Sequence, residues 1–179
     1  MIKISNLHKF YGTKENRAEV LKGINLEIED GKIICVLGPS GSGKSTLLNI
    51  LGGIETIDEG DVSVFGEDIK NMSKKALENY RRENLGFVFQ FYNLISDLNV
   101  LENVEVGKYL SKKPLNTDTL LDELGLSEHK YKYPNEISGG QAQRASIARA
   151  MIKSPRLLIC DEPTWAQDYE SAKDVLCLI

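Results

Sequence analysis

Two stretches near the start of the chain alternate between apolar and polar side chains. Residues 2–7 carry isoleucine or leucine at nearly every second position, and residues 20–28 repeat the pattern. A period of two places the apolar side chains on one face of a β-strand. The turn sequence Asp30-Gly31 follows the second stretch. The pattern therefore predicts two strands of a small antiparallel sheet.

Other apolar runs are continuous rather than alternating. The runs at 33–37 and 157–160 contain no charged or strongly polar residue. Such runs are typical of strands that are buried on both faces of a parallel sheet. Shorter strands are predicted at 61–65 and 85–89, so the strands are distributed along most of the chain.

Helical spacing of apolar residues accounts for much of the remainder. Leucines recur at this spacing directly after Lys44. The region from 91 to 153 has a largely helical pattern, and its last helix has Ser138 as a suitable N-cap and ends before Pro155. The predicted helices cover 44–51, 73–82, 100–106, 119–124, 142–152 and 170–179. Strands and helices together predict an α/β fold.

Composition narrows the class of protein. The chain has 179 residues, 41% of them hydrophobic and 27% charged, which is ordinary for a soluble domain with a sizeable core. Its net charge of −4 argues against a nucleic-acid partner, and it has neither a signal peptide nor an apolar run long enough to span a bilayer. Cys35, Cys160 and Cys177 are expected to be buried free thiols of a reducing compartment.

The strongest chemical signal is a glycine-rich loop between a predicted strand and a predicted helix. It has the G-x-x-x-x-G-K-[ST] pattern of a phosphate-binding loop. Glycines let the backbone approach a phosphate, and the loop N–H groups form an anion nest at the helix N-terminus. A lysine then reaches the β and γ phosphates, and a serine hydroxyl suits Mg²⁺. The predicted ligands are Gly38, Pro39, Ser40, Gly41, Ser42, Gly43, Lys44, Ser45 and Thr46.

An acidic pair follows the second continuous apolar run. Asp161 and Glu162 come directly after residues 157–160. In a chain with a phosphate-binding loop, Asp161 is a candidate to hold Mg²⁺, and Glu162 is a candidate to orient the water that attacks the γ-phosphate. The alternative is a solvated acidic turn.

A second small-residue motif, ISGGQAQR, occupies residues 137–144. Ser138, Gly139 and Gly140 at a helix N-terminus can form a further anion site. Two anion sites and one nucleotide per chain suggest a dimer in which each subunit closes on the other's phosphates. The alternative is a flexible helix start.

Together these motifs resemble those of the ATP-binding subunits of ABC transporters. Residues 38–46 match Walker A, residues 157–164 match Walker B, and residues 137–144 resemble the LSGGQ signature, which includes Gln141. The resemblance also implies that Gln90 occupies the Q-loop, ligating Mg²⁺ and sensing a membrane partner. Tyr11 is implied to stack on adenine.

The resemblance implies a P-loop NTPase core, an antiparallel β subdomain and an inserted helical subdomain. Residues 1–90 with 154–179 would form the core and 91–153 the signature subdomain. The implied function is ATP hydrolysis, with Mg²⁺, by a head-to-tail homodimer. It would be cytoplasmic, bound to permease subunits on the inner face of the cell membrane.

Residues 89–95, together with residues 101–104, are similar to those of the branch that exports lipoproteins, macrolides and antimicrobial peptides. Phe91, Tyr92 and Leu94 would then form a groove for a coupling helix of the permease. The alternative is that these side chains simply pack within the helical subdomain.

The chain departs from the family's pattern in its last residues. It stops soon after Glu162, before the family's switch histidine, and Trp165 stands where a very small residue is usual. The missing switch histidine leaves open a truncated ATP-binding module with little hydrolysis. A soluble ABC ATPase without a transport role is a separate alternative.

Overall fold

The computed structural model describes residues 1–13 and 16–161. The described chain forms two compact units, Met1–Tyr80 and the residues from Arg81 onwards. Glu162, Trp165, Cys177 and the predicted helix at 170–179 lie outside the described residues. Within the described ranges, no helix is both long and apolar enough to cross a membrane.

The first unit is built on an antiparallel sheet. Its strands, in spatial order, are β2 (Ala18–Ile28), β1 (Ile2–Tyr11), β3 (Glu59–Val64) and β4 (Glu67–Asp68). Alternate side chains of β1 and β3 are buried, because successive residues of a strand point to opposite faces. The predicted antiparallel sheet is confirmed, and its strands are longer than predicted.

Helix α1 (Lys44–Leu51) and helix α2 (Lys74–Asn84) follow the predicted spacing. The Ser73 hydroxyl accepts a hydrogen bond from the Ala76 N–H at 3.2 Å, which is the expected N-cap contact. The buried Tyr80 hydroxyl donates to the Leu51 carbonyl at 2.7 Å. Burial raises the pKa of Tyr80, so this phenol stays protonated and anchors the C-terminal end of α1.

The second unit contains a parallel pair of strands and the helices that cover it. Strand β5 (Leu85–Val88) pairs with β6 (Leu157–Cys160), from Leu85 opposite Leu157 to Val88 opposite Cys160. The helices are α3 (Val100–Lys108), α4 (Thr117–Glu123) and α5 (Gly139–Met151). Their apolar faces form one buried cluster with Val88, and all three lie inside the predicted helical region.

A buried asparagine fixes the chain ahead of α3. Asn103 has no exposed surface. Its side chain accepts from the Ile95 N–H at 2.8 Å and donates to the carbonyls of Ile95 at 3.1 Å and Leu98 at 2.9 Å. A buried amide needs such partners, so this contact holds the loop between β5 and α3 in one conformation.

The prediction of a doubly buried strand at 33–37 is wrong for the described structure. The run lies in neither sheet of the described residues. A buried strand requires hydrogen-bonded neighbours on its edges. Ile33 is 78% exposed and Leu37 is 85% exposed.

The two described cysteines differ in environment. Cys35 is exposed, so the expectation that it is buried is also wrong. Cys160 is a partly buried free thiol, and burial raises its pKa to about 11. A thiol with a raised pKa is a poor nucleophile, which agrees with a packing role for Cys160.

Candidate nucleotide-binding site

Two glycines of the loop have neighbouring side chains close to their Cα atoms. A methyl group on Gly38 would lie 2.6 Å from the Ser42 hydroxyl. Gly43 has a φ of +89° and would place a methyl group 2.9 Å from Leu21. Gly43 is also the N-cap of α1 and has no side chain with which to cap the helix. The start of α1 therefore has no side-chain cap at this position, and a helix N-terminus of this kind can bind an anion.

Lys44 lies over the same loop. Its ammonium group donates to the carbonyls of Gly38 at 2.9 Å and Pro39 at 3.1 Å, and these contacts are exposed. The Ser42 N–H donates to Pro39 at 3.2 Å and tightens the turn. An exposed cation beside a glycine loop and a helix N-terminus suits a polyphosphate chain.

Tyr11 stands at the end of β1 and is 40% exposed. Its hydroxyl donates to the Glu55 carboxylate at 3.0 Å, and the neighbouring Thr46 hydroxyl acts to lower its pKa. Partial burial and the neighbouring Glu55 carboxylate raise the pKa of Tyr11. The structure therefore brings Tyr11 together with Thr46, the last predicted residue of the phosphate-binding loop.

A buried lysine lies beneath this tyrosine. The Lys9 side chain is 5% exposed. Its ammonium group is 3.0 Å from Glu55 and 3.5 Å from Asp58, and it donates to both oxygens of Thr56 at 2.9 Å. The sequence analysis missed this cluster. The available signal was a lysine at an inward-facing position of an otherwise apolar strand face.

Opposing effects set the charges of the cluster. Burial alone would lower the pKa of Lys9, but the hydrogen bond and charge of Glu55, with the charge of Asp58, raise it above 10.5. Burial alone would raise the pKa of Glu55, but Lys9, the Thr56 N–H and Tyr11 lower it below 4.5. Both groups are therefore charged across the neutral range.

We expect the stabilisation from this ion pair to depend on pH in a defined window. Because Glu55 has a lowered pKa, its contribution is present above pH 4.5 and is lost as the pH falls further. The contribution of Lys9 is lost only above pH 10.5. Glu55→Gln should therefore lower the free energy of unfolding by about 1 kcal/mol at neutral pH.

Urea unfolding of wild type and Glu55→Gln across the acid range measures this difference. The difference in the free energy of unfolding should be constant from about pH 6 to about pH 9 and should shrink below pH 4.5. A difference that persists unchanged at pH 3.5, roughly one unit below the ordinary carboxyl value, would contradict the charge pair.

Gln90 and Asp161 follow neighbouring parallel strands. Gln90 comes two residues after β5, and Asp161 comes directly after β6. The Asp161 N–H donates to the Val88 carbonyl at 3.0 Å, which extends the pairing to that end of the strands. Two predicted Mg²⁺ ligands thus follow the carboxyl ends of the paired strands β5 and β6. Ligands of α/β sheets bind at the carboxyl ends of the strands.

The signature residues begin α5. The Ser138 hydroxyl accepts from the Gln141 N–H at 3.3 Å, and the Gln141 side chain accepts from the Ser138 N–H at 2.8 Å. This is a capping box, so the N-cap prediction is confirmed. The Gln141 amide nitrogen also lies 2.8 Å from Nε2 of His129, which fixes the amide further.

An arginine that the sequence analysis missed holds the loop after Gln90. Tyr92 and Asn93 have left-handed φ values of +59° and +48°. The Arg149 guanidinium donates to their carbonyls at 2.7 Å and 2.6 Å, and the Ser146 hydroxyl donates to Tyr92 at 3.1 Å. Arg149 and Ser146 belong to α5, so the helix of the signature motif also fixes the loop of Gln90.

Comparison with known proteins decides the family. The profile described as ABC transporter matches residues 21–165. The chain is 45% identical over 181 residues to the bacitracin export ATP-binding protein BceA of Halalkalibacterium halodurans. That alignment covers 98% of this chain and 72% of the relative. This chain belongs to the ABC transporter family.

Other relatives agree. The cassette is 41% identical over its whole length to the macrolide export ATP-binding/permease protein MacB of Neisseria meningitidis, of which it spans 29%. It also matches a dimeric, post-hydrolysis structure of the ATP-binding cassette MJ0796 bound to ADP and Pi. That match has a TM-score of 0.90 and 36% identity, and covers 99% of this chain and 81% of the other.

These matches confirm two predictions made from the motifs. The fold is that of a P-loop ABC ATPase cassette, with the antiparallel and parallel sheets described above. The chain is an ATP-binding ATPase domain of the kind found in exporter-type transporters.

Proposed function

We propose that this cassette binds ATP with Mg²⁺ in the loop at 38–46 and hydrolyses it to drive export through permease subunits. The observation that carries the proposal is the glycine cradle at the N-terminus of α1, with the Lys44 ammonium group beside it. Lys44 would bind the β and γ phosphates, and Tyr11 would stack on adenine.

The proposed Mg²⁺ ligands are oxygen donors, which suit this hard cation. They are the Ser45 hydroxyl, the Gln90 side-chain carbonyl and the Asp161 carboxylate, the last two at the ends of neighbouring strands. Bound Mg²⁺ would neutralise the charge that develops on the phosphates. From its sequence position, Glu162 would orient the attacking water.

The proposed assembly is a head-to-tail homodimer with two ATP molecules. Each γ-phosphate would be bound by the partner's signature motif, which here is an exposed, capped helix start at Ser138 and Gly139. The related MJ0796 cassette is dimeric with ADP and Pi, which supports the arrangement. The subdomain boundaries at 90/91 and 153/154 remain predictions.

The proposed partner is a permease, which would hold the cassette on the cytoplasmic face of the cell membrane. Relatives named for bacitracin and macrolide export suggest an exported antibiotic or a similar amphipathic compound. Phe91 is 70% exposed and suits a coupling-helix groove, whereas Leu94 packs against the buried cluster of its own unit.

Placing a negative charge at the signature motif tests the dimer. Gly139 is exposed, and its nearest neighbour for an added side chain is the Tyr92 hydroxyl at 3.5 Å, so Gly139→Asp fits. The new carboxylate would face the partner's γ-phosphate. We expect the ATP-dependent dimer to weaken at least about tenfold because like charges are brought together.

Analytical ultracentrifugation with ATP, with Mg²⁺ withheld to prevent turnover, measures the dimer. Thr119→Asp is the matched control, because it adds the same charge in the exposed first turn of α4. This control should dimerise like the wild type, and both variants should bind ATP as monomers. If Gly139→Asp dimerises as tightly as Thr119→Asp, the proposed sandwich is wrong.

A further inference from the structure

The Tyr11 hydroxyl is fixed beside the helix that carries the phosphate-binding loop. Thr46, in the first turn of α1, is a neighbour of this hydroxyl and acts to lower its pKa. Glu55, four residues after α1 ends, accepts the proton of the same hydroxyl at 3.0 Å. The one proton of the phenol is therefore committed to Glu55.

Glu55 is itself fixed to α1 and to the buried lysine. Its N–H donates to the Asn49 carbonyl of α1 at 3.2 Å. One carboxylate oxygen receives the Thr56 N–H at 2.9 Å and lies 3.0 Å from the Lys9 ammonium group. The other oxygen is the acceptor for Tyr11. The carboxylate has contacts on both oxygens, so its position is well defined.

We propose that Glu55, supported by Lys9, positions the Tyr11 ring relative to the phosphate-binding loop and thereby sets the affinity for the adenine base. The inference rests on the proposed stacking of Tyr11 on adenine. Glu55 is a positioning residue: it would act on the base only through the Tyr11 hydroxyl, to which it is hydrogen-bonded.

The physical reason is preorganisation. A tyrosine that is 40% exposed at a strand end would otherwise rotate among several side-chain conformers. Binding the base would then require that freedom to be lost. With the hydroxyl already hydrogen-bonded to the fixed Glu55 carboxylate, the ring is held in one orientation before the base arrives. The benefit applies to the base and not to the phosphates, which bind to the loop.

This separation gives the test. Affinities for ATP and for inorganic triphosphate are measured by calorimetry for wild type, Tyr11→Phe, Glu55→Ala and the double variant. Tyr11→Phe keeps the ring and removes only the hydroxyl. We expect Tyr11→Phe and Glu55→Ala each to weaken ATP binding about three- to tenfold. Triphosphate affinity should stay unchanged, and the double variant should bind ATP like either single one.

Asp58→Asn is the matched control. Asp58 also pairs with Lys9, at 3.5 Å, but it accepts from the Phe10 N–H rather than from Tyr11. Asp58→Asn should leave the affinity for ATP unchanged. If both Asp58→Asn and Glu55→Ala lower the affinities for ATP and triphosphate together, the effect comes from a general loosening of the lysine cluster and the inference is wrong.

Tyr11→Ala separates this inference from the proposed function. Suppose that Tyr11→Ala weakens ATP binding while Tyr11→Phe and Glu55→Ala bind ATP as the wild type does. The ring then stacks on adenine without help from Glu55, so the inference is overturned and the proposed stacking stands. If Tyr11→Ala also binds ATP as the wild type does, the stacking role itself fails. Additive effects of Tyr11→Phe and Glu55→Ala would likewise overturn the inference, because they would act independently.

Discussion

Lys44→Ala is expected to lower the affinity for ATP at least about 100-fold. The loss corresponds to roughly 3 kcal/mol, which is the range of charge-assisted hydrogen bonds to a polyphosphate. The Lys44 ammonium group now bridges the carbonyls of Gly38 and Pro39 at 2.9 and 3.1 Å. Moving from these carbonyls to the phosphates exchanges neutral acceptors for charged ones, so the side chain gains interaction energy only when ATP is present.

Isothermal titration calorimetry with ATP checks this prediction. Lys70→Ala is the matched control, since Lys70 also donates to a backbone carbonyl, that of Gly60 at 2.8 Å, in an exposed contact. It should bind ATP like the wild type. An undiminished affinity in Lys44→Ala would count against the whole assignment of the loop.

Glu162→Gln separates binding from chemistry. Gln cannot accept a proton from the attacking water, so phosphate release should fall to background while ATP affinity is retained. If the wild type releases phosphate no faster than Glu162→Gln, the chain binds ATP without turning it over. Such a result would favour the alternative of a binding module.

The local elements could be predicted from the sequence where side-chain pattern and chemistry agree. The antiparallel sheet follows from alternation in β1 and β2, and α1 begins at the predicted lysine. Ser138 was predicted as an N-cap because a serine before a helix has one favourable hydrogen-bonding role there.

The run at 33–37 shows the limit of such reasoning. An apolar pattern indicates which side chains a segment would bury, but a strand also needs neighbouring strands to complete its backbone hydrogen bonds. Those neighbours are remote in sequence, and the described residues place none beside Ile33 or Leu37. Pattern alone therefore could not distinguish a formed strand from an exposed apolar segment.

The supporting side chains of the site were missed for a related reason. Glu55 and Arg149 belong to no motif, and their roles arise from contacts across 44 and 56 residues of chain, to Tyr11 and Asn93 respectively. Glycine loops are recognised from local spacing, whereas positioning residues depend on tertiary contacts. Lys9 was missed as well, although a lysine at an inward-facing strand position already required buried partners.

Arg149→Met is expected to lower the free energy of unfolding by about 3 kcal/mol, or the melting temperature by about 10 °C. Methionine fills similar space but donates no hydrogen bond. The Asn93 carbonyl would lose its contact at 2.6 Å, and the Tyr92 carbonyl would keep only that of Ser146 at 3.1 Å. Burial lowers the pKa of Arg149, yet a guanidinium remains charged and its donors are retained.

Thermal unfolding of the full chain measures the loss, with Ser146→Ala and Arg149→Lys for comparison. Ser146→Ala removes one neutral hydrogen bond and should cost about 1 kcal/mol. Lysine offers a single ammonium group where the planar guanidinium meets two carbonyls at once, so Arg149→Lys should fall between the other two variants. If Arg149→Met and Ser146→Ala melt at the same temperature, the two guanidinium hydrogen bonds stabilise the fold no more than the single hydroxyl hydrogen bond does.

The left-handed backbone at Tyr92 and Asn93 explains why so strong a contact is needed. A tyrosine in this region costs about 1–2 kcal/mol, although an asparagine tolerates it better. With φ values of +59° and +48°, the two carbonyls are turned toward α5, where Arg149 and Ser146 bind them. Without the guanidinium, the strain at Tyr92 would be offset by one hydroxyl only, and the loop that begins at Gln90 would relax. Arg149→Met should therefore unfold this unit at a lower temperature than any single loss of a surface charge in it.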